Sequence, residues 1–217
     1  MVESLEVAFQ GSKAVINRPL ADLERLVASD RQLYASYYQR LGAEVQAPDG
    51  NAWDSWRRMA DATLFPLFEE RIRFAALSLD GMGLQSYGEC SLVLREELIA
   101  HRASVFEDNS AVFLRDRGYQ LSPGHRAVWE DRSRLGVAKL ASAVHTGTVP
   151  ADFPGLLVQQ GQTAEEDRFI EVHIWGPVTA RTCQCAILIP KGGKAGQAFR
   201  KALRARLAAQ GVELEVR

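Results

Sequence analysis

Arg71-Ile72-Arg73-Phe74-Ala75-Ala76-Leu77-Ser78-Leu79 is the stretch on which the fold turns. Before it, apolar residues recur at helical spacing. From it onward, short runs rich in Ile, Leu, Val and Phe are bounded by glycine, which is the pattern of strands. Glu89-Cys90-Ser91-Leu92-Val93-Leu94-Arg95 repeats that pattern after Asp80-Gly81-Met82-Gly83 and Ser86-Tyr87-Gly88. Gly81-Met82-Gly83 lacks dinucleotide-fingerprint spacing and joins two strands, so it reads as a plain hairpin loop.

Upstream, Pro19 stands where a helix favours its first residue. Leu20, Leu23, Leu26, Val27, Leu33, Tyr34, Tyr37 and Tyr38 carry an apolar stripe from it to Gly42, with the tyrosines as packing positions. Ala47-Pro48-Asp49-Gly50-Asn51 reads as a turn. Trp53, Trp56, Met59 and Ala60 then share one face of a second helix, which Pro66 interrupts. Glu6-Val7-Ala8-Phe9-Gln10 and Lys13-Ala14-Val15-Ile16-Asn17, separated by Gly11-Ser12, have the form of a short hairpin. A helical part of about residues 19–68 and a sheet-rich part of about 70–217 make a single α+β domain with a mixed, mainly antiparallel sheet.

Downstream, Arg168-Phe169-Ile170-Glu171-Val172-His173-Ile174-Trp175-Gly176 alternates apolar and polar residues. It is expected to be an interior strand with the helices of residues 19–65 packed outside it. Glu171 and His173 share one face, because strand side chains repeat every second residue. A carboxylate and an imidazole placed so either face water or form the acid/base wall of a cleft. A third helix is expected from about His125 to His145, through Val128, Leu135, Ala138, Leu140 and Val144.

Cys183 and Cys185, two apart on another strand, are expected on one core-facing side, with neither metal nor bridge, since no partner ligands stand at matching spacing. Lys191-Gly192-Gly193-Lys194 lacks the Gly-Lys-Ser/Thr ending of a phosphate loop. The last helix, from Ala195 to Gln210, places Phe199, Leu203 and Leu207 on one face, and Val212, Leu214 and Val216 form a closing strand.

The 217 residues carry 26 basic and 27 acidic side chains, a net charge of -1, so no global field draws the chain to nucleic acid or membrane. No apolar run approaches the roughly 20 residues that span a bilayer. The acidic opening Met1-Val2-Glu3-Ser4-Leu5-Glu6 is unlike a secretory signal. The expectation is a cytoplasmic protein, unless a specialised machine exports it. Serine-nucleophile, HExxH, EF-hand and kinase signatures do not occur.

Ile99-Ala100-His101-Arg102-Ala103-Ser104-Val105-Phe106-Glu107-Asp108-Asn109-Ser110 concentrates polar side chains beside a strand end. Arginine grips phosphate bidentately. Asp, Asn and Ser also cap helices and build turns, so both readings stay open.

Tyr87-Gly88 with the strand to Arg95, then Arg102-Ala103, then Asp108-Asn109-Ser110, and later Phe169 to Pro177, together resemble bacterial ADP-ribosyltransferase-like toxin domains. The resemblance covers about the second half of the chain. Asn109 stands where the pattern has the Asp of a Gly-Asp-Ser turn, and His173 where Gln or Glu is usual. Gln10-Gly11-Ser12 comes nearest to the pattern's first-strand motif. The resemblance implies NAD as substrate, no metal, a protein or nucleic-acid acceptor, no membrane partner, and delivery as an effector. It implies Glu171 as the catalytic carboxylate steadying an oxocarbenium-like ribose carbon. His173 would act beside it toward the acceptor. Arg102 would hold the pyrophosphate and Ser110 the ribose or the nicotinamide amide, with Tyr87 completing the cofactor-binding set. Two other classes remain: a non-catalytic binding protein using its Trp- and Tyr-rich N-terminal third, and a nucleic-acid module using the basic C-terminal helix.

Overall fold

The computed structural model describes residues 2–29, 31–42, 52–118, 120–163, 165–189 and 197–217. The turn read at residues 47–51, the connection at 191–194 and the start of the last helix lie outside them. The chain runs α1 (Val2–Gln10), β1 (Lys13–Arg18), α2 (Leu20–Leu26), α3 (Tyr37–Gly42), α4 (Ala52–Leu64), β2 (Ile72–Ser78) and β3 (Cys90–Leu94). It continues through α5 (Glu96–Ile99), β4 (Ala103–Phe106), α6 (Ser110–Asp116), β5 (Ala127–Val128), α7 (Arg132–Ala141) and α8 (Phe153–Leu157). It closes with β6 (Glu171–Trp175), β7 (Cys183–Leu188), α9 (Gln197–Ala209) and β8 (Glu213–Val216).

The protein is α+β. Eight strands form one sheet in the order β5-β4-β6-β2-β1-β3-β7-β8, antiparallel except for the β7–β8 edge. β6, which carries Glu171, is interior, between β4 and β2. Val172 and Ile174 enter the main core with Ile16, Leu77, Leu92 and Leu203. The opposite face, with Glu171 and His173, is covered by α4 and α6 through Ala60, Leu64, Phe65 and Leu114. Each large apolar side chain so buried contributes about 1.5–3 kcal/mol.

The sheet parts at its middle. β1 pairs with β2 only at Lys13↔Ser78, Ala14↔Leu77 and Val15↔Ala76. Beyond that, β1 runs on beside β3 to Arg18, while β2 runs beside β6 to Ile72. Residues 16–18 and 72–75 therefore belong to different half-sheets, and the space between them is the site described below.

Five expectations are corrected. The first segment is the helix α1, not a hairpin arm: Leu5 and Phe9, four residues apart, are both buried. Phe9 lies against Gly136 of α7, where a Cβ would come within 2.2 Å of its ring. The stripe from Pro19 to Gly42 is two helices. Tyr34 leaves helical geometry to donate its N–H to the Val178 carbonyl at 2.8 Å. A reciprocal cap then starts α3: Gln39 N–H donates to Ser36 Oγ (3.2 Å) and Ser36 N–H to Gln39 Oε1 (2.9 Å).

Gly81-Met82-Gly83 closes no hairpin, because β1 lies between β2 and β3. The loop passes over β1 instead, and a Cβ on Gly83 would strike Asn17 and Val15 at 2.3 and 2.8 Å. The helix expected from His125 is shorter; β5 and a 3-10 turn precede α7.

A bulge opposite Val93 and Leu94 also separates the two cysteines of β7. Cys183 enters the main core and Cys185 packs with Val15, Val93 and Ile187 on the other face. All three cysteines are free thiols. Among the described residues, no helix is long and apolar enough to cross a membrane.

Candidate active site in the split between the half-sheets

A cavity of about 190 Å³ occupies the split. A single water needs only about 10–15 Å³ on such a measure, so the space holds much more than one water. Asn17 and Arg18 line it from β1, Phe74 and Ala76 from β2, and Glu171 from β6. Tyr37 and Arg40 of α3, with Trp53, Asp54 and Arg57 of α4, form the helical wall, and Tyr87, Asn109 and Phe169 complete it. Gly88 explains part of this shape. A Cβ there would lie 2.0 Å from the Arg18 carbonyl carbon and 2.3 Å from Pro19 N, so only glycine lets the end of β1 pass beside Tyr87.

Glu171 is 1 % exposed. Its Oε1 accepts from Arg57 Nη1 at 2.6 Å, and its Oε2 accepts the Ser110 N–H at 3.1 Å. His173 Nε2 lies 3.3 Å from Oε2, at ion-pair distance without hydrogen-bond alignment. Burial pushes the Glu171 carboxyl up, but Arg57, His173 and Ser110 together hold it well below the usual carboxylate range. Glu171 is therefore an anion at neutral pH.

Arg57 serves a second carboxylate. Its Nε donates to Asp61 Oδ1 at 2.9 Å, its Nη2 bonds the same oxygen, and its guanidinium lies 4.2 Å over the Phe74 ring. Tyr38 donates its hydroxyl to Asp61 Oδ2 at 2.9 Å. Burial opposes the charge on Arg57, yet Asp61 and Glu171 hold its pKa well above the ordinary value. Asp61 is pushed the other way from Glu171: burial raises it and Arg57 only partly offsets that. One cation thus faces two buried carboxylates, and Glu171 is the one that stays firmly ionised.

The fold brings together Glu171, His173, Ser110 and Tyr87, but not Arg102. Tyr87 lines the cavity. Ser110 contributes its main-chain N–H rather than its hydroxyl. His173 sits behind Glu171, not on the cavity wall. It is buried between the edges of Phe65 and Phe74, with Ser104 Oγ 3.5 Å from Nδ1, a place that does not fit contact with an acceptor entering this cavity.

Arg102 donates to the carbonyls of Leu98 and Trp175. Trp175 lies four residues along β6 from Glu171, about 13 Å at roughly 3.3 Å per residue. The expected grip of Arg102 on a pyrophosphate in this cavity does not fit that position.

Sequence reasoning missed Arg18, Arg40, Trp53 and Arg57. Arg57 stands four residues before Asp61 on a helix, a spacing that signals an ion pair. Arg18 ends the short strand that was read as a hairpin arm. Asn109, noted only as a departure from a family pattern, lines the cavity and donates from Nδ2 to the Asp167 carbonyl at 3.2 Å. Among the described residues, no cluster of three or more His, Cys, Asp or Glu is placed to hold a metal. No protein-family model matches this chain, and no curated protein matches it.

Proposed function

We propose that the cleft binds NAD and that Glu171 promotes cleavage of its bond to nicotinamide, passing ADP-ribose to a protein or nucleic-acid acceptor. The observation that carries this reading is a buried, ionised carboxylate on the wall of a cavity that also holds flat aromatic surfaces and two arginines besides Arg57. Tyr87, Trp53 and Phe169 offer stacking faces for planar rings. Arg18 and Arg40 offer charge to a pyrophosphate.

As the C–N bond breaks, its electron pair goes to the nicotinamide ring nitrogen and positive charge grows on the ribose carbon. The acceptor nucleophile then bonds to that carbon and gives up its proton. A fixed carboxylate in a water-poor site stabilises the developing charge without reorganising. Glu171 has about four lone-pair positions. Arg57 and the Ser110 N–H account for two of these, which leaves room for a ribose hydroxyl. Arg57 does not cancel the effect, because Asp61 shares its charge.

The test is release of nicotinamide from NAD by the purified protein, with and without candidate acceptors. Turnover that acceptors accelerate supports the reading; no turnover with any acceptor counts against it. One observation favours a second reading. Glu171 is nearly inaccessible and bonded to α4 and α6, as suits a residue that only holds a ligand-binding cleft in shape. In that case NAD raises the melting temperature and nicotinamide is never released.

A further inference from the structure

Leu67 stands in a conformation that leucine avoids. Phe65-Pro66-Leu67-Phe68 closes as a turn, with the Phe68 N–H donating to the Phe65 carbonyl at 2.9 Å and Leu67 third at φ +71°. Glycine or asparagine normally fills that position when proline is second, because a Cβ crowds the backbone at positive φ. Among the described residues, Leu67 alone outside glycine has positive φ. It is also 90 % exposed, so no packing within the chain offsets the strain. Backbone strain of this kind points to a function for the side chain it presents.

The surroundings of Leu67 are apolar. Phe68 and Trp175 are exposed and meet edge to face, their ring centroids 4.9 Å apart. Pro177 follows on the surface. The backbone beneath is fixed: the Gly176 N–H donates to the Arg71 carbonyl at 3.2 Å, and Arg102 holds the Trp175 carbonyl. Three large apolar side chains thus stand on a braced support at the end of β6, as the anchors of a protein interface do.

The charges beside the patch say what covers it. Glu69, Glu70 and Arg71 follow the turn directly, and Glu70 and Arg71 are exposed. Among the described residues none of these three side chains has an ion-pair partner, and Glu69 Oε2 is buried with no hydrogen bond. A two-fold axis through the apolar patch lays it on its own copy and lets Arg71 of each chain meet the acidic pair of the other. A partner of one sign, or an anionic membrane surface, leaves some of these charges facing their like. The match needs both signs beside the patch, not an excess of either. We propose that the patch of Leu67, Phe68 and Trp175 is the interface of a symmetric homodimer, with Arg71 pairing with Glu69 and Glu70 of the second copy. The proposal does not depend on the reaction at Glu171.

The test is sedimentation velocity of the full chain over a wide range of concentration. A concentration-dependent dimer is expected in the parent. Leu67→Gly is expected to weaken it about tenfold or more, yet leave the melting temperature of dilute protein no lower. Glycine accepts positive φ, and the lost side chain packs on nothing in the single chain. Arg71→Glu and Glu70→Arg each set like charges across the axis, and each is expected to be monomeric alone. Mixed in equal amounts, the two variants restore the charge pairs and are expected to dimerise with each other, which a site for a different partner does not explain. A parent that is monomeric at every concentration overturns the proposal. So does a dimer that Leu67→Gly leaves unchanged, or a mixture of the two charge variants that stays monomeric. A monomeric parent that sediments with vesicles of phosphatidylcholine and phosphatidylserine gives the patch to a membrane surface and likewise overturns it.

Discussion

Arg57 Nη1 lies 2.6 Å from Glu171 Oε1, and through that contact α4 is tied to β6 across 114 residues of sequence. The same guanidinium holds Asp61, so removing it strands two buried carboxylates at once. Losing one partner of a buried ion pair typically costs about 3–5 kcal/mol. Arg57→Met is therefore expected to lower the melting temperature by about 10 °C in a chain of this size. A Tm within a degree or two of the parent would mean the cluster contributes little to holding α4.

Acid stability follows from the same cluster. Glu171 is held below its ordinary 4.5, so its contribution is complete above that pH and is lost as pH falls through the folded value. Asp61, raised above its ordinary 3.8 by burial, has the opposite sign: its contribution is complete below 3.8 and is lost as pH rises through its folded value. The Glu171 ion pair is expected to dominate on the acid side. Thermal melts below pH 4.5 should fall less steeply for Glu171→Gln than for the parent, and parallel curves would contradict the assignment.

Gly88 and Gly118 make a controlled pair. Both have positive φ, +149° and +60°, but a Cβ at Gly88 meets backbone at 2.0 Å whereas one at Gly118 meets nothing within 4 Å. Gly88→Ala should cost about 3 kcal/mol or more, and Gly118→Ala only about 1 kcal/mol. Urea denaturation of the two variants reads the difference directly. Similar costs at both positions would show that the end of β1 can move aside.

The cofactor contacts separate Arg18 from Arg102. Arg18→Ala should weaken NAD binding ten- to hundredfold, the usual range for a charge-assisted hydrogen bond. Arg102→Ala should leave it unchanged, since that side chain is spent on main-chain carbonyls. Titration calorimetry with NAD decides between them, and the reverse order would refute the cavity as the NAD site.

The α+β class and the interior place of the Glu171 strand were legible in the sequence, because the short apolar runs from Arg71, Glu89 and Arg168 are rich in strand-forming residues and bounded by turn signals. The order of strands was not. β1 enters the sheet between β2 and β3, and nothing in residues 72–94 announces a strand from residues 13–18 as the neighbour of both. Glu6 to Gln10 alternates like a strand, yet Leu5 and Phe9 sit one helical turn apart, and packing against Gly136 decides for the helix.

Glu171 and His173 were read correctly as sharing a face. That Phe65 and Phe74 seal His173 away from the cavity depends on α4, which no local pattern connects to β6. Arg57 was passed over for the same reason: its partner is remote in sequence.

Nicotinamide release from NAD by the parent and by Glu171→Gln, at matched melting temperature, tests the central claim most directly. The substitution keeps the size of the side chain but removes its charge beside the reacting ribose. Loss of one such stabiliser typically costs about 3 kcal/mol, a rate about a hundredfold lower. The account predicts measurable release by the parent and that loss in Glu171→Gln, with NAD still bound. Equal release by the two proteins, or none by the parent with any acceptor, would contradict it.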